Sequence, residues 1–361
     1  MIASFGNFNK LPLGGGQTAA RRLLKTMQGL GYRVIAIHRH PPTSHNNVVR
    51  GFQFVFWMLI DPLIVAFRLL FKPRDNSLVM YMGYMGVVLI PLEWIFARLS
   101  HFLGFKNLFY LAGGGTEIVY NRLNSVLKFF ERSIIRSYYL ILTEGIENIS
   151  FIRRFSNVNT AYLPNYTEKG FDPSFYPEKP LDRWNFIYFG RICKEKNVLL
   201  IIAIFNRLCE LNSNSNLTIV GGGPEDYNHI IEASIAASPF YHKITRIGRS
   251  SHEELRCLLP NYHFYLFPSI EPREGHSNAL NEAMSFGLVP VVSDNNFLPS
   301  IVANSRLVAH EQTVQAYVDI VLDIIENGDF DKLSHEMYNR VKLNYTQSVI
   351  ESRLKDIFDS I

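Results

Sequence analysis

Short apolar runs that stop on glycine or proline, each followed by helical periodicity, recur along the chain, and nothing else in the sequence narrows its possible folds as much. In the second half Asn185–Phe189 stops at Gly190 and leads into Val198–Leu211, where apolar residues fall at helical spacing. Leu217–Val220 stops at Gly221-Gly222-Gly223-Pro224, Lys243–Ile247 at Gly248 and Phe264–Phe267 at Pro268-Ser269. Val289–Ser293 follows a helix ended by Gly287. Strand, glycine turn and helix in repetition predict parallel βαβ units with right-handed crossovers and helices on both faces of the sheet. The first half repeats the theme, with strands expected at Met1–Ser4, Arg33–His38, Leu78–Met82, Leu108–Leu111, Tyr139–Leu142 and Thr160–Leu163.

Between the halves, Tyr166–Arg183 carries Pro173, Pro177 and Pro180 and few apolar positions, which is a linker composition. The expectation is an α/β protein of two doubly wound domains, residues 1–165 and 184–344, joined by a linker at 166–183. A last helix at 345–361 is too short to stand alone and is expected to pack back on the first domain. Two such domains leave a cleft between the carboxyl ends of their sheets, and ligands of open α/β sheets bind at that edge. A motif at a strand's carboxyl end therefore carries the most weight.

With 47% apolar and 19% charged residues among 361, the chain is globular, which excludes a disordered, collagen-like or disulfide-built protein. Cys193, Cys209 and Cys257 are odd in number and lack metal-ligand spacing, as expected in a reducing compartment. The amino end lacks the basic-then-apolar build of a signal peptide, so a cytoplasmic location is expected. The net charge of +4 hides an asymmetry: residues 1–170 hold 19 Lys and Arg against 8 Asp and Glu, whereas residues 171–361 hold 17 against 24. The basic half suits an anionic surface or substrate. Gly51–Phe71 is interrupted by Gln53, Asp61, Pro62 and Arg68, and the uncharged run Asn76–Leu92 contains Gly83, Gly86 and Pro91. Neither reads as the ~20 apolar residues of a spanning helix. Phe54, Phe56, Trp57, Leu59 and Ile60, with Arg68, Lys72 and Arg74 behind them, fit either a core helix or peripheral contact with anionic membrane at the inner face of the plasma membrane. No basic helix or aromatic platform is patterned for nucleic acid.

The most informative string is Phe267–Asp294, FPSIEPREGHSNALNEAMSFGLVPVVSD. A strand ends at Pro268-Ser269, a loop carries Glu271, Arg273 and Glu274, and Ser277 or Asn278 is a good N-cap for a helix stopped by Gly287. Amides at that helix start favour phosphate oxygens. Glu274 and Glu282, spaced E-x7-E, approach the same pocket from the loop and from the helix. Ionised carboxylates accept hydrogen bonds and repel phosphate, so their partners are hydroxyls. A ligand with both polyol and phosphate, a nucleotide sugar, meets both requirements. The second constellation, Gly190-Arg191-Ile192-Cys193-Lys194-Glu195-Lys196-Asn197, follows a strand directly. Arg191 supplies a planar fork and Lys196 a point charge, a pairing suited to phosphate oxygens.

These strings, with LTIVGGGPE and ITRIGRSSHEEL between them, resemble the donor-binding domain of family 4 glycosyltransferases over roughly residues 184–310. The resemblance implies the GT-B architecture, two doubly wound Rossmann-like domains facing a central cleft. It also implies a nucleotide-diphosphate-sugar donor, no metal requirement, no cofactor and retention of anomeric configuration. It assigns the diphosphate to Arg191 and Lys196, the donor sugar to Glu274 and Gly275, phosphate to the amides of Ser277, Asn278 and Ala279, the ribose to Glu282, and the base to backbone near Arg249 and Ser250. His276 lies inside the donor loop and is expected to touch the sugar. In the first half, Gly14-Gly15-Gly16-Gln17-Thr18 before a helix at Ala19–Leu30 is similar to the family's glycine loop, with Gly15 and Gly16 near the donor phosphates. Gly113-Gly114-Gly115-Thr116-Glu117 follows another strand where many relatives place a histidine; here that position is glycine. Gly114, Thr116 and Glu117 are the acceptor-side candidates.

The sequence thus reads as a retaining glycosyltransferase that moves a hexose, from a UDP-sugar by preference, onto a glycan acceptor. A lipid-linked oligosaccharide of surface polysaccharide synthesis (capsule, O-antigen or exopolysaccharide) fits the basic first half. Two other readings stay open: a sugar-nucleotide epimerase on the same fold, and a nucleotide-sugar-binding module without catalysis.

Overall fold

A computed structural model of the chain describes residues 2–6, 15–38, 40, 46–71, 78–83, 90–172, 174–211 and 214–361. The chain divides into two compact units, Met1–Pro164 with Glu351–Ile361, and Asn165–Ile350.

In the first unit, strands β1 (Ile2–Gly6), β2 (Val34–His38), β3 (Leu78–Gly83), β4 (Lys106–Leu111), β5 (Leu140–Thr143) and β6 (Asn159–Tyr162) form one parallel sheet in the order β2-β1-β3-β4-β5-β6. Its helices are α1 (Gly15–Gly29), α2 (Asn47–Leu70), α3 (Ile90–Phe102), α4 (Thr116–Arg122), α5 (Ser125–Ser137) and α6 (Ile146–Arg153). The steps β2 to β3, β3 to β4 and β4 to β5 all run the same way along the sheet, so right-handed crossovers put α2, α3 and α5 in one layer. Accordingly α3 packs against both α2 and α5. Tyr81, Phe109 and Tyr138 stack through the core beneath them, at centroid distances of 5.4 and 5.2 Å.

Two expectations change here. The glycine loop before the first helix becomes its first turn, because α1 already begins at Gly15; Gly14 lies outside the described residues. The interrupted apolar segment is one helix of 24 residues that continues through Pro62 and is long and apolar enough, by length and composition, to cross a membrane. Asp61 does not break it because its carboxylate turns inward and meets His40 Nδ1 at 2.6 Å, with the His40 ring stacked on Trp57 at 4.1 Å. Val65 and Leu69 join Asp61 and Pro62 on the buried side.

In the second unit, β7 (Trp184–Arg191), β8 (Ser215–Gly222), β9 (Ile244–Ile247), β10 (Phe264–Phe267), β11 (Val289–Ser293) and β12 (Val308–Ala309) form a parallel sheet in the order β12-β11-β10-β7-β8-β9. Its α-helices are α7 (Val198–Leu211), α8 (Glu225–Ala236), α9 (His252–Leu258), α10 (Asn278–Ser285), α11 (Leu298–Val302), α12 (Val314–Glu326) and α13 (Phe330–Asn344); α14 (Gln347–Asp359) begins in this unit and passes into the first at Glu351. Phe186–Phe189 and Phe264–Phe267 are buried on both faces, as continuous apolar runs of a central parallel strand should be. α7 buries Val198, Ile201, Ile202, Phe205 and Leu208, the helical spacing read in the sequence.

The chain leaves β7 in one direction, through β8 and β9, and returns to the other side of β7 for β10. The sheet therefore changes winding direction between β7 and β10, where ligands of such sheets bind. Both β7 and β8 extend further than the apolar pattern indicated, through Gly190-Arg191 and Gly221-Gly222. Glycine makes this extension possible: a Cβ on Gly221 would lie 1.9 Å from the Gly190 carbonyl oxygen, and one on Gly223 would lie 1.6 Å from that of Ile192. Gly221 and Gly223 are thus required for backbone approach between two strand ends.

The proline-rich stretch 166–183 is strapped onto the second unit. Thr167 donates its amide to Tyr345 at 2.8 Å, Phe171 is buried, Tyr176 stacks on His335 at 3.7 Å, and Lys179 Nζ donates to the Pro260 carbonyl at 3.1 Å. The end of α14 belongs to the first unit, where Phe358 meets Tyr32 edge-on at 5.0 Å and Arg353 lies 5.5 Å over Tyr162.

Candidate active site

Two loops meet at the winding change of the second sheet. The loop after β7 turns through Lys194–Lys196 in a 3-10 turn and ends at Asn197, which adopts a left-handed conformation with φ of 55°. The loop after β10 runs from Pro268 to Ser277, the N-cap of α10, whose side chain accepts from the Leu280 amide. Ile270 donates its amide to the Glu195 carbonyl at 2.8 Å and ties the loops together. Asn295 Nδ2 donates to the carbonyls of Ser269 and Glu271, both at 3.0 Å, and Ser293 Oγ donates to Ser269 at 2.6 Å. The site therefore rests on a fixed backbone.

Its charges are arranged at two depths. Lys196 and Glu274 are both 7% exposed, and Lys196 Nζ donates to Glu274 Oε2. Ser269 Oγ donates to that same oxygen, and Phe267 places its ring 5.0 Å under the ammonium. A buried ion pair survives only when further hydrogen bonds compensate its desolvation, and the Ser269 hydroxyl contributes one. Nearer solvent, the side chain of Arg191 is 57% exposed and lies 3.7 Å from Glu271 Oε2. Tyr188 OH donates to the Arg191 carbonyl at 2.6 Å and fixes the backbone from which the guanidinium extends. Glu282 is buried on α10. Burial pushes the Tyr265 phenol well above its usual range, and Tyr188, Glu274 and Glu282 push the same way. The structure brings Arg191, Lys196, Glu274 and Glu282 to the edge where the sequence put them.

Gly275, Ser277, Asn278 and Ala279 form the turn into α10, so its amino end faces this edge as the N-cap reading required. Arg249 and Ser250 follow β9, and the Arg249 side chain passes over Gly222, where an added Cβ would meet it at 3.0 Å. His276 departs from expectation. Its ring is 2% exposed, pairs with Asn281 Oδ1 at 3.1 Å and meets Tyr345 edge-on at 4.6 Å. Asn165 and Asn281 lock the same turn, through Asn165 Nδ2 to the His276 carbonyl at 2.8 Å and Asn281 Nδ2 to the Asn165 carbonyl at 3.1 Å. The imidazole is thus held in internal packing, where the expectation had it touching the donor sugar.

In the first unit, Gly15 and Gly16 form the start of α1. Gly113 and Gly115 have φ of 78° and 72° around Gly114, and Thr116 is buried at the start of α4. Glu117 is paired with Arg154 at 2.5 Å, and that hydrogen bond holds its carboxyl below the usual range. The turn depends on Glu144, which no sequence pattern singled out. Buried after β5, it accepts from the Gly113 amide at 2.8 Å and from Tyr110 OH at 3.1 Å. Ser269, Glu271 and Asn281 were likewise missed as site residues; Ser269 had a signal, a hydroxyl at the strand end five residues before a carboxylate. Among the described residues, no three His, Cys, Asp or Glu side chains gather as a metal-binding group.

Residues 174–344 match the family model described as glycosyl transferases group 1. The chain is 23% identical over 265 residues to the phosphatidylinositol N-acetylglucosaminyltransferase gpi3 subunit of Schizosaccharomyces pombe, covering 71% of this chain and 54% of that protein. It is 26% identical over 152 residues to the GDP-mannose:cellobiosyl-diphosphopolyprenol alpha-mannosyltransferase of Xanthomonas oryzae, covering 40% and 39%. The matches thus span about half or less of these curated relatives. Among solved structures, Anabaena HepE in complex with UDP superposes with a TM-score of 0.73 and 10% identity, covering 100% of both chains.

Proposed function

We propose that this chain, whose residues 174–344 match the group 1 glycosyltransferase model and which has the GT-B fold, transfers a hexose from a nucleotide-diphosphate sugar to a glycan acceptor, with retention of configuration. The observation that carries this reading is the pairing of a buried Lys196–Glu274 ion pair with an exposed Arg191 at the winding change of the second sheet. When the bond from the sugar C1 to the phosphate oxygen breaks, its electron pair leaves with the diphosphate and the sugar becomes oxocarbenium-like. Preorganised positive charge where that negative charge develops gives the largest acceleration. Arg191 and Lys196 supply it with the amino end of α10, so the proposal calls on no metal ion and no cofactor.

The carboxylates hold hydroxyls. Glu274 Oε2 is occupied by Lys196 and Ser269, which leaves Oε1 for a hydroxyl of the donor sugar beside Gly275. Glu282 takes the ribose, the amides of Ser277, Asn278 and Ala279 take phosphate, and backbone at Arg249 and Ser250 takes the base. In the first unit, Gly15 and Gly16 are assigned to the donor phosphates and Gly114, Thr116 and Glu117 to the acceptor side. We assign a UDP-sugar, supported by the UDP bound to HepE; the GDP-mannose in the name of the Xanthomonas relative is the competing donor. A lipid-linked glycan as acceptor is supported by the cellobiosyl-diphosphopolyprenol in the Xanthomonas relative's name, by the lipid in the Schizosaccharomyces relative's name and by the basic first half, with the chain working from the cytoplasm at the inner face of an anionic membrane.

A thermal-shift panel of UDP-, GDP- and ADP-sugars identifies the donor, because a ligand that binds only the folded state raises apparent stability. With that donor, release of nucleoside diphosphate stimulated by a glycan acceptor, with the product's anomeric configuration read by NMR, is the expected result. Donor turnover indifferent to acceptor would overturn the transfer reading.

A further inference from the structure

The helical layer of the first unit carries two features that donor chemistry does not use. One is the outward side of α2, where Val48, Phe52, Leu59, Leu63, Phe67 and Leu70 are all exposed. Their spacing keeps them on one side of the helix, away from Asp61, Val65 and Leu69. A contiguous apolar face of this length marks a contact surface.

The other is a groove of about 500 Å³ between α3 and α5. Lys128, Arg132 and Arg136 line it from one face of α5, four residues apart, and Arg98 lines it from α3. The protein itself holds each cation in place. Arg98 Nη2 donates to Ser133 Oγ at 2.8 Å, Arg132 Nε to Tyr120 OH at 2.6 Å and Arg136 Nη2 to the Phe155 carbonyl at 3.0 Å. Lys128 sits 5.5 Å over the Tyr120 ring. A guanidinium has five N–H donors, so each arginine keeps others for a phosphate. Among the described residues no acid lines the groove. Glu131, on α5 itself, is turned into the core, and burial pushes its carboxyl up to about 7. Trp94, Phe102 and Phe129 stand exposed on the same two helices, an aromatic and basic mixture suited to a bilayer interface.

We propose that the α3–α5 groove binds the phosphate of an anionic phospholipid while the α2 face lies in the acyl boundary of the same leaflet. The proposal rests on the lipid-linked acceptor reading above and gives it a docking surface. A second copy of the chain is a poor occupant, since a shared two-fold contact would set these cations against one another. Anionic headgroups above an apolar layer match the groove and the α2 face at once.

The test is flotation of the full chain, without donor, on phosphatidylcholine vesicles with and without phosphatidylglycerol, at low and high salt. The chain is expected to bind the phosphatidylglycerol vesicles, more weakly at high salt. Arg98→Gln with Lys128→Gln should weaken that binding roughly 30-fold. Removing two exposed cations from α13 of the second unit, Lys332→Gln with Lys342→Gln, should weaken it by less than about 2-fold. Phe52→Ser with Phe67→Ser should abolish the binding that survives high salt, with the melting temperature of each variant confirming a folded chain. Equal losses from the two charge pairs would overturn the proposal, as would a wild-type chain that ignores phosphatidylglycerol vesicles at low salt. Transfer to a detergent-dispersed acceptor reads the enzymatic proposal separately. Its persistence without vesicle binding sinks only the docking surface, and vesicle binding without transfer sinks only the enzyme.

Discussion

The two units share one scaffold and differ in where they place their unusual residues. Both carry a six-stranded parallel sheet that changes winding direction, between β1 and β3 in the first and between β7 and β10 in the second. In the second unit the polar investment is at that point: a buried Lys196–Glu274 pair, a buried Ser269 and Glu282, and Arg191 above them. In the first unit the distinctive surface is the helical layer, with an apolar outer face on α2 and a cationic groove beside it. In both units the sheet supplies an address while the loops and helices supply the chemistry. Each unit should then be separable by mutation, donor chemistry on one and anionic surface on the other.

Lys196→Ala should give the largest effect, and a mixed one. Loss of one preorganised cation predicts a fall of roughly 10²–10³-fold in kcat. Stranding the Glu274 carboxylate predicts a further loss of about 3 kcal/mol in unfolding free energy, read by urea titration. Arg191→Ala should lower kcat by about 10²-fold with an unfolding midpoint close to wild type, because the exposed guanidinium leaves no buried charge behind. A large stability loss in this variant would erase the distinction in depth drawn between the two cations. Glu282→Ala should act on binding, raising the donor KM by roughly 10-fold while kcat changes less, as expected for contacts made equally in ground and transition states. None of the three should alter vesicle flotation.

How much of this was legible in the sequence differs between the units for a physical reason. Gly190-Arg191 and the string from Phe267 to Glu282 announce strand ends because glycine, proline and an N-cap serine each have a narrow backbone role. The outer face of α2 could not be read, since an apolar helix has the same sequence whether a core or a leaflet covers it. Asp61 and Pro62 looked like interruptions, and only the inward contact with His40 shows how the helix absorbs the charge. The prolines of 166–183 suggested a linker because composition says nothing of Phe171 and Tyr176 anchoring the stretch. Glu144 was invisible for a similar reason, its partners being a backbone amide and a tyrosine on another strand.

The strap on the second unit yields the smallest of the predicted effects. His263 accepts from the Asn185 amide through Nδ1 at 3.1 Å and reaches the Pro180 carbonyl through Nε2 at 2.8 Å, which requires the neutral ring with its proton on Nε2. Burial, ahead of the other influences, lowers its pKa to about 4. Between that value and the ordinary 6.5 the unfolded chain binds more protons, so stability rises with pH across this window and is lost as pH falls through it. Urea unfolding at pH 5 should show His263 contributing about 2 kcal/mol less stability than at pH 7, a difference that His263→Gln should diminish. Vesicle binding should not track this titration, because the strap belongs to the other unit.

If Arg191 and Lys196 grip a diphosphate, calorimetric affinities for the selected nucleoside diphosphate and for the bare nucleoside should differ through these two cations. The wild-type chain should show a large preference for the diphosphate, reduced roughly 10-fold or more by Arg191→Ala while nucleoside affinity stays the same. An undiminished preference in a folded Arg191→Ala chain would contradict that grip.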